Sequence, residues 1–529
     1  MPLQPPQPIL IDGRWRAAQA GGTFHAENPA TGETLDETYP ISDFADCEAA
    51  LEAAQRAAAA LGATPPETLA AFLEGYAQRI EARAVELCGT AHVETGYPVS
   101  PRLAEVELPR TAGQLRQAAA AAREGSWSLP TIDTKAGIRS YFAPLGPVCV
   151  FGPNNFPFAF GGISGGDFAA AIAAGNPVIA KANSSHPATT RIFAEEAQSA
   201  ADAAGLPPGT VQLIYRTRHA DGERLVADPR VGATAYTGSR SAGLKLKAAA
   251  DAAGKPIYLE LSSVNPLVVL PGALEERAEK IADEFATSCL MGAGQFCTNP
   301  GLVVVLAGEA TERFISAVGS RFTAAPAGTL LSKGVAGSLA HSVAELTAGG
   351  ARAVVGGRPA GGSGYRYSNT LLRVDAERFL ADPPRLQTEA FGNVSLLVVA
   401  HDAQQAGQVL EALEGNLTGC IYSDTRGADD RLYQELAPRL RRRVGRLLND
   451  KMPTGVALSS AMNHGGPYPA TGHPGFTAVG IPASLRRFAM LACYDNVRPH
   501  RLPPALQDKN PNGRMWRLID AAWTQGNVG

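Results

Sequence analysis

The chain has few cysteines, and they follow none of the patterns that would give them a structural role. Its 529 residues contain seven cysteines at wide spacings and no C-x-x-C pair. An odd number of scattered cysteines excludes a disulfide framework, and the missing pairs argue against a zinc site. We therefore expect no metal, and we expect free thiols of the kind that a reducing cytoplasm preserves.

Long apolar runs and extended basic stripes are also missing. No apolar segment approaches the roughly 20 residues that span a bilayer, and the start, Met-Pro-Leu-Gln-Pro-Pro, lacks the basic and apolar regions of a signal peptide. The net charge is −3, and the densest basic patch, from Arg439 to Arg446, is interpreted as a solvated helix face. Neither a membrane nor a nucleic acid is therefore expected as a partner.

What the chain does contain is an alternation of short apolar strands and helices. A short hairpin at Ile9 to Trp15 and a turn at Asn28 to Gly32 precede a mostly helical region, whose first cap is Ser42 or Asp43. Five strands separated by helices follow, at 148–151, 178–180, 211–215, 233–237 and 257–261. This alternation predicts a doubly wound parallel sheet, which binds ligands at the carboxyl ends of its strands. A second α/β alternation runs from Leu267 to about Val479.

A standard dinucleotide fingerprint is absent, because no G-x-G-x-x-G follows a predicted strand. The segment Tyr236 to Gly243 nevertheless follows a strand and opens a helix. Gly238 would let the backbone approach a pyrophosphate, and Ser239 could cap the helix and donate to a phosphate. A plain capped helix explains the same residues equally well.

Three polar side chains occupy positions where they could do chemistry. Cys297 lies in a loop of small residues before an apolar strand, a setting that suits either a nucleophile or a structural thiol. Glu260, between apolar neighbours, is interpreted as a base of raised pKa or as half of a buried ion pair. Asn155 is either a turn former or an oxyanion donor. No histidine is recognised as a partner of Cys297, and His464 is interpreted as part of a Gly-Pro loop.

These motifs, in this order, resemble the aldehyde dehydrogenase superfamily over nearly the whole chain. The matching elements are Pro153-Asn154-Asn155-Phe156-Pro157, Lys181, Thr237-Gly238-Ser239, Leu259-Glu260-Leu261, Gly294-Gln295-Phe296-Cys297 and Glu389-Ala390-Phe391-Gly392. Within the superfamily, three features most resemble the 2,5-dioxopentanoate (α-ketoglutarate semialdehyde) dehydrogenases: Gly294 to Gly301, Ser262 to Pro266, and Pro453 to Val456 followed by His464 to Thr471. NADP-dependent medium- and long-chain fatty aldehyde dehydrogenases share some of these segments and remain the alternative.

The resemblance implies an aldehyde oxidation through a cysteine thiohemiacetal and a thioester. It makes Cys297 the nucleophile, Glu260 the base that activates water and Asn155 an oxyanion donor. It also assigns cofactor contacts: Lys181 to the adenosine ribose, Ser239 to the pyrophosphate, Glu389 to the nicotinamide ribose and Phe391 to the side of that ring.

Two departures from the superfamily pattern carry predictions. Ser184 occupies the place where most NAD-preferring members carry a glutamate, and Arg216, Arg218 or His219 could add positive charge beside it. Removing a carboxylate removes repulsion against a 2′-phosphate, so we predict that NADP is accepted and NAD remains possible. Asn393 replaces the usual proline, which predicts a different setting for the loop that carries Glu389.

The family likeness also implies a domain plan and an oligomer. We expect a dinucleotide-binding domain at 1–125 and 146–258, a catalytic domain at 259–480, and a small oligomerisation element with a tail at 126–145 and 481–529. A strand near Gly137 to Tyr141 would join C-terminal residues in a homodimer or homotetramer. Two other classes stay open: a cysteine hydrolase or acyltransferase, and a non-catalytic relative.

Overall fold

A computed structural model describes residues 5–529, so the first four residues of the segment examined for a signal peptide lie outside it. The N-terminal part is dominated by helices at Phe44–Leu61, Pro66–Ala82, Ala84–Thr95 and Leu108–Glu124, with an irregular helical segment at Val99–Glu107. Asp43 caps the first of them, because its carboxylate accepts from the N–H of Ala45 at 2.9 Å. The predicted helical region and one of its two candidate caps are thus confirmed.

The first large sheet is the predicted doubly wound one. Its strands lie in the order Ile257–Glu260, Ala233–Thr237, Val148–Phe151, Val178–Lys181, Val211–Ile214, Ile9–Ile11 and Arg14–Arg16. The first five are parallel, and the hairpin Ile9–Arg16 adds an antiparallel edge. The crossover helices are Gly166–Ala173, Pro187–Ala204, His219–Val226 and Arg240–Ala252. Apolar residues on both faces bury its five parallel strands, as a parallel sheet requires.

A second large sheet follows in the chain. Its order is Arg352–Val355, Thr370–Asp375, Val394–Ala400, Leu302–Leu306, Leu267–Val269, Asn416–Tyr422 and Val444–Asn449, with only the first strand antiparallel. The helices that cover it are Pro271–Leu290, Glu309–Ala324, Lys333–Ala348, Ala376–Ala381, Pro383–Leu386, Ala403–Ala412 and Asp430–Arg441. The mixed α/β architecture predicted from the sequence is confirmed.

Two smaller sheets were predicted only in part. The strands Ala20–Asn28 and Glu33–Ser42 form a hairpin around the predicted turn, and Arg216–Thr217 joins it. The other sheet has the order Ala489–Asp495, Ile138–Pro144, Thr131–Asp133, Arg517–Ile519 and Ala522–Thr524. The strand expected near residue 137 therefore does pair with C-terminal residues. Among residues 5–529, no helix combines the length and the apolar character that crossing a bilayer requires.

Candidate active site

Cys297 lies in a loop that approaches a neighbouring loop closely. The chain turns at Gly292, Ala293 and Gly294, which all have positive φ, between 56° and 70°. A Cβ on Gly294 would lie 2.0 Å from the carbonyl oxygen of Gly392, so only glycine permits this contact. Cys297 itself is half-buried, and the thiol loop therefore keeps a route to solvent.

One asparagine fixes the backbone that follows the thiol. Asn265 donates from Nδ2 to the carbonyl oxygens of Cys297 (2.9 Å) and Asn299 (2.8 Å). Its Oδ1 accepts from the hydroxyl of Thr418 at 3.0 Å, on a strand of the second sheet. The nucleophile predicted from the sequence is therefore held by side chains of the second sheet.

A buried histidine joins the thiol to the predicted base. His464 Nε2 lies 3.4 Å from Cys297 Sγ and 3.0 Å from Glu260 Oε1. The expectation that no histidine partners Cys297 is wrong. The three ligand atoms lie within 4.8 Å of one another, a spacing that a zinc ion could also bridge. The only sequence signal was the His-Gly-Gly-Pro segment, because His464 is 167 residues from Cys297 and 204 from Glu260.

The electrostatics of this cluster oppose a free thiolate. Burial, and then the carboxylates Glu260 and Glu389, raise the pKa of the Cys297 thiol well above its ordinary value of 9.0. The His464 Nε2 atom can accept the thiol proton in one tautomer, or donate to Glu260 in the other. Glu260 ends the strand Ile257–Glu260, at the carboxyl edge of the first sheet, and its Oε2 has no hydrogen-bond partner within residues 5–529.

Asn155 reaches the cysteine loop. Its side chain is buried, and Nδ2 donates to the carbonyl oxygen of Gln295 at 2.9 Å. Its own carbonyl oxygen accepts from Arg102 Nη2 at 3.0 Å. Arg102 is also paired at 2.9 Å with buried Glu107, whose other oxygen accepts from the N–H of Phe158. This buried ion pair orders the segment that carries Asn155, and nothing in the sequence pattern marked it.

The predicted cofactor residues of the first sheet surround one cavity of about 870 Å³. Lys181, Ser184, Gly238 and Ser239 all line it, together with the basic residues Arg216, Arg218, His219 and Lys245. Ser239 is the N-cap residue of the helix Arg240–Ala252, but its hydroxyl makes no capping bond, contrary to the sequence interpretation. Burial, with help from Arg216, lowers the pKa of Lys181 to about 8. A cationic cavity at a helix N-terminus fits the diphosphate of a dinucleotide.

Glu389 and Phe391 lie on the neighbouring loop, the one that approaches the cysteine loop at Gly392. Glu389 lines a smaller cavity of about 210 Å³ with Ser262 and Ser263. Burial raises the pKa of Glu389 to about 7, although hydrogen bonds from those serines oppose the shift. Phe391 is half-buried two residues further along. Asn393, the departure from the superfamily pattern, is buried and donates to Tyr367 O and Asn369 Oδ1, so it ties this loop to the second sheet.

Comparisons with known proteins agree with this geometry. The model of the aldehyde dehydrogenase family matches residues 15–459. An α-ketoglutaric semialdehyde dehydrogenase 2 of Azospirillum brasilense is 39% identical over 95% of this chain and 97% of its own length. An α-ketoglutaric semialdehyde dehydrogenase of Acinetobacter baylyi is 35% identical over 98% of both chains. Among solved structures, the lactaldehyde dehydrogenase of Escherichia coli superposes with a TM-score of 0.78 at 24% identity, covering 92% of this chain and 98% of that one.

Proposed function

The chain is a member of the aldehyde dehydrogenase family, and we propose that it oxidises α-ketoglutaric semialdehyde (2,5-dioxopentanoate) to 2-oxoglutarate. Aldehyde oxidation follows from the family. The specific substrate is supported by two relatives of that name, at 39% and 35% identity over nearly the whole chain. The observation that carries the chemistry is the contact of one imidazole with both the thiol of Cys297 and the carboxylate of Glu260.

The first half of the reaction follows from the raised pKa of the thiol. His464 takes the proton of Cys297 as the sulfur adds to the aldehyde carbonyl, and Glu260 stabilises the imidazolium that results. The oxyanion of the thiohemiacetal accepts hydrogen bonds from Asn155 Nδ2 and from the backbone N–H of Cys297. Each such donor typically contributes about 3 kcal/mol to the barrier.

The second half needs a cofactor and a base. A nicotinamide dinucleotide, when bound, supplies the hydride acceptor, and the family makes such a cofactor the expected one. Lys181, Ser184, Gly238 and Ser239 would hold its adenosine and phosphate end, and Glu389 and Phe391 its nicotinamide end. After the thiohemiacetal has become a thioester, Glu260 takes a proton from the water that hydrolyses it.

We propose that NADP is accepted and preferred. Ser184 brings no negative charge to the cavity, while Arg216, Arg218 and Lys245 line the same space. One carboxylate, Glu223, lines the same cavity, but the cations outnumber it, so a 2′-phosphate would still be attracted there. The test is the ratio of kcat/KM for NADP and NAD, and a ratio that strongly favours NAD would overturn the proposal.

The five-stranded sheet is the proposed oligomerisation element. Its edge strand, Ala489–Asp495, presents Met490 and Leu491 with 54% and 60% of their surface exposed. An exposed apolar edge is a liability that a second copy would cover, in a homodimer or homotetramer. We also propose a dinucleotide-binding domain at 1–125 and 146–258, a catalytic domain at 259–480, and an oligomerisation element with a tail at 126–145 and 481–529. The proposed compartment is a reducing cytoplasm. Light scattering on the purified protein measures the assembly.

The function is tested by comparing two aldehydes in the same assay. With NADP, absorbance of the reduced cofactor should report faster turnover of α-ketoglutaric semialdehyde than of a medium-chain alkanal, and Cys297→Ala should be silent. Faster turnover of the alkanal would favour a fatty aldehyde dehydrogenase instead.

The Cys297–His464 contact also supports a second candidate, a thiol hydrolase or acyltransferase. That enzyme would turn over a thioester without any cofactor and would leave the aldehyde unchanged.

A further inference from the structure

Two buried side-chain nitrogens of Arg110 make no hydrogen bond within residues 5–529. It lies in the first turn of the helix Leu108–Glu124, and its Nη1 donates to the carbonyl oxygen of Val456. Its Nε and Nη2 are shielded from solvent and have no hydrogen-bond partner in the described part of the chain. A buried charged group without partners is costly, so an arginine in this state needs an explanation.

The free atoms are the two that a carboxylate would need. On the planar guanidinium, the Nε–H and one N–H of Nη2 project in parallel from the same edge, and their spacing matches the two oxygens of a carboxylate. The neighbouring acid cannot fill this role fully, because Glu107 is paired with Arg102 at 2.9 Å. Burial lowers the pKa of Arg110, and the contributions of Cys297 and Glu107 oppose the shift.

A second arginine beside the same loop makes the contrast clear. Arg446 donates from Nη2 to the carbonyl oxygens of Pro453 (2.8 Å) and Gly455 (3.1 Å) and from Nη1 to Gly455 O (3.2 Å). Both terminal nitrogens therefore serve the loop, and of its buried nitrogens Nε alone has no partner among residues 5–529. Arg446 therefore has a structural role that accounts for its position. Arg110 holds the loop with one nitrogen and keeps one whole edge free.

The guanidinium of Arg110 lies beside the aromatic cluster that adjoins Cys297. The Arg110 guanidinium lies 5.7 Å from the ring centre of Phe160, and that ring lies 5.5 Å from the ring of His464. Phe160 packs in an aromatic cluster with Phe156 and Phe296, and Phe296 directly precedes the nucleophile. One apolar ring thus separates the cation from the histidine that contacts Cys297. A short aliphatic chain lying along this cluster would present one end to the thiol and the other to Arg110.

We propose that the Nε–Nη2 edge of Arg110 binds the distal carboxylate of the substrate and so selects aldehydes that carry an acid at the far end. This inference rests on the proposed function and names the recognition element that the function requires. The bidentate pair would be formed only when the carboxylated substrate is bound.

The experiment compares two aldehydes of equal chain length, 5-oxopentanoate and pentanal, alongside α-ketoglutaric semialdehyde. Arg110→Gln should lower kcat/KM for both carboxylated aldehydes by about 100-fold, mainly through KM, as expected for a lost buried charge pair. Its activity on pentanal should stay within about threefold of wild type, which also shows that the variant is folded. Arg110→Lys should recover part of the loss, because it restores the charge without the fork.

Matched controls separate recognition from structure. Arg116→Gln removes an arginine of the same helix that pairs with Glu81 at the surface, at 2.6 Å, and should leave all three aldehydes unaffected. An equal fall of Arg110→Gln on pentanal and on 5-oxopentanoate, or no fall on either, would overturn the proposal.

A binding measurement keeps this proposal distinct from the proposed function. Calorimetry should show that wild type binds 2-oxoglutarate and that Arg110→Gln binds it at least tenfold more weakly. If wild type prefers the semialdehyde but Arg110→Gln binds and turns over like wild type, only the Arg110 assignment fails. If wild type prefers pentanal yet its binding of 2-oxoglutarate depends on Arg110, only the proposed substrate fails.

Discussion

Replacing His464 by glutamine should remove the proton acceptor of the nucleophile. A thiol with the ordinary pKa of 9.0 is only about 3% ionised at pH 7.5, and burial with two nearby carboxylates raises the pKa of Cys297 further. In wild type, all of the Cys297 sulfur is available for reaction, because the base takes its proton. In His464→Gln, only the ionised fraction can react, so the reactive sulfur should be at least about 30-fold scarcer. Together with the loss of general-base catalysis, we expect kcat/KM to fall by about 100- to 1,000-fold.

Alkylation by iodoacetamide measures the thiol directly, without the aldehyde. In wild type, Cys297 should react at neutral pH, whereas in His464→Gln its rate should be low and should rise until the pH exceeds 9.0. The exposed Cys493 also reacts, so the rate of Cys297→Ala is subtracted. Cofactor affinity should be unchanged.

A second histidine of the same loop region provides the control. His473 is exposed, and its ring packs 5.1 Å from that of Tyr258 rather than against the thiol. His473→Gln should alkylate and turn over like wild type. If His464→Gln kept the wild-type alkylation rate at pH 7.5, the imidazole would not be the proton acceptor and the mechanism given above would have to be abandoned.

Three further predictions concern the oxyanion donor, the loop contact and the cofactor cavity. Asn155→Ala should lower kcat by about 100-fold through the loss of one oxyanion donor, measured under saturating substrate. Gly294→Ala should destabilise the protein by several kcal/mol in urea unfolding, because its Cβ meets Gly392 O at 2.0 Å, whereas Gly205→Ala, at the same φ of 70° but in open space, should cost only about 1 kcal/mol. The KM for NADP should rise as the pH increases through about 8, where Lys181 loses its charge, and Lys181→Arg should remove this dependence.

Each of these predictions has a result that would contradict it. Near-wild-type kcat in Asn155→Ala would show that another donor holds the oxyanion. Equal destabilisation by the two glycine replacements would show that backbone strain, and not the clash, decides the cost. A flat pH profile of the NADP KM in wild type would mean that Lys181 does not meet the cofactor as a titrating cation.

The five parallel strands of the first large sheet could be predicted because they are short apolar runs bounded by turn residues. The missed strands have a different character. Ala20–Asn28 is largely exposed, Glu33–Ser42 is exposed in its first half and buried in its second, and Ala489–Asp495 exposes its apolar residues as well as its polar ones, so none of the three shows a regular period. Strands at exposed edges are specified by their partners more than by their own sequence.

The site shows the same division between local and distant information. Cys297, Glu260 and Asn155 stand in local settings that restrict what they can do, and they could be named in advance. His464 and Arg102 could not, because their roles depend on contacts between residues far apart in the chain. Arg446 illustrates a wrong local interpretation: it was assigned to a solvated helix face, but it lies on the strand Val444–Asn449 and donates to Pro453 O and Gly455 O.

The short connection between the two large sheets couples the thiol to the base. Glu260 ends the strand Ile257–Glu260 of the first sheet, and Asn265, five residues later, donates to the carbonyl oxygens of Cys297 and Asn299. The distance between the carboxylate of Glu260 and the sulfur of Cys297 is therefore set by the short chain segment from Glu260 to Asn265. Inserting or deleting a residue in this segment should therefore slow the reaction, whereas the affinity for the dinucleotide and the alkylation of the cysteine should stay the same.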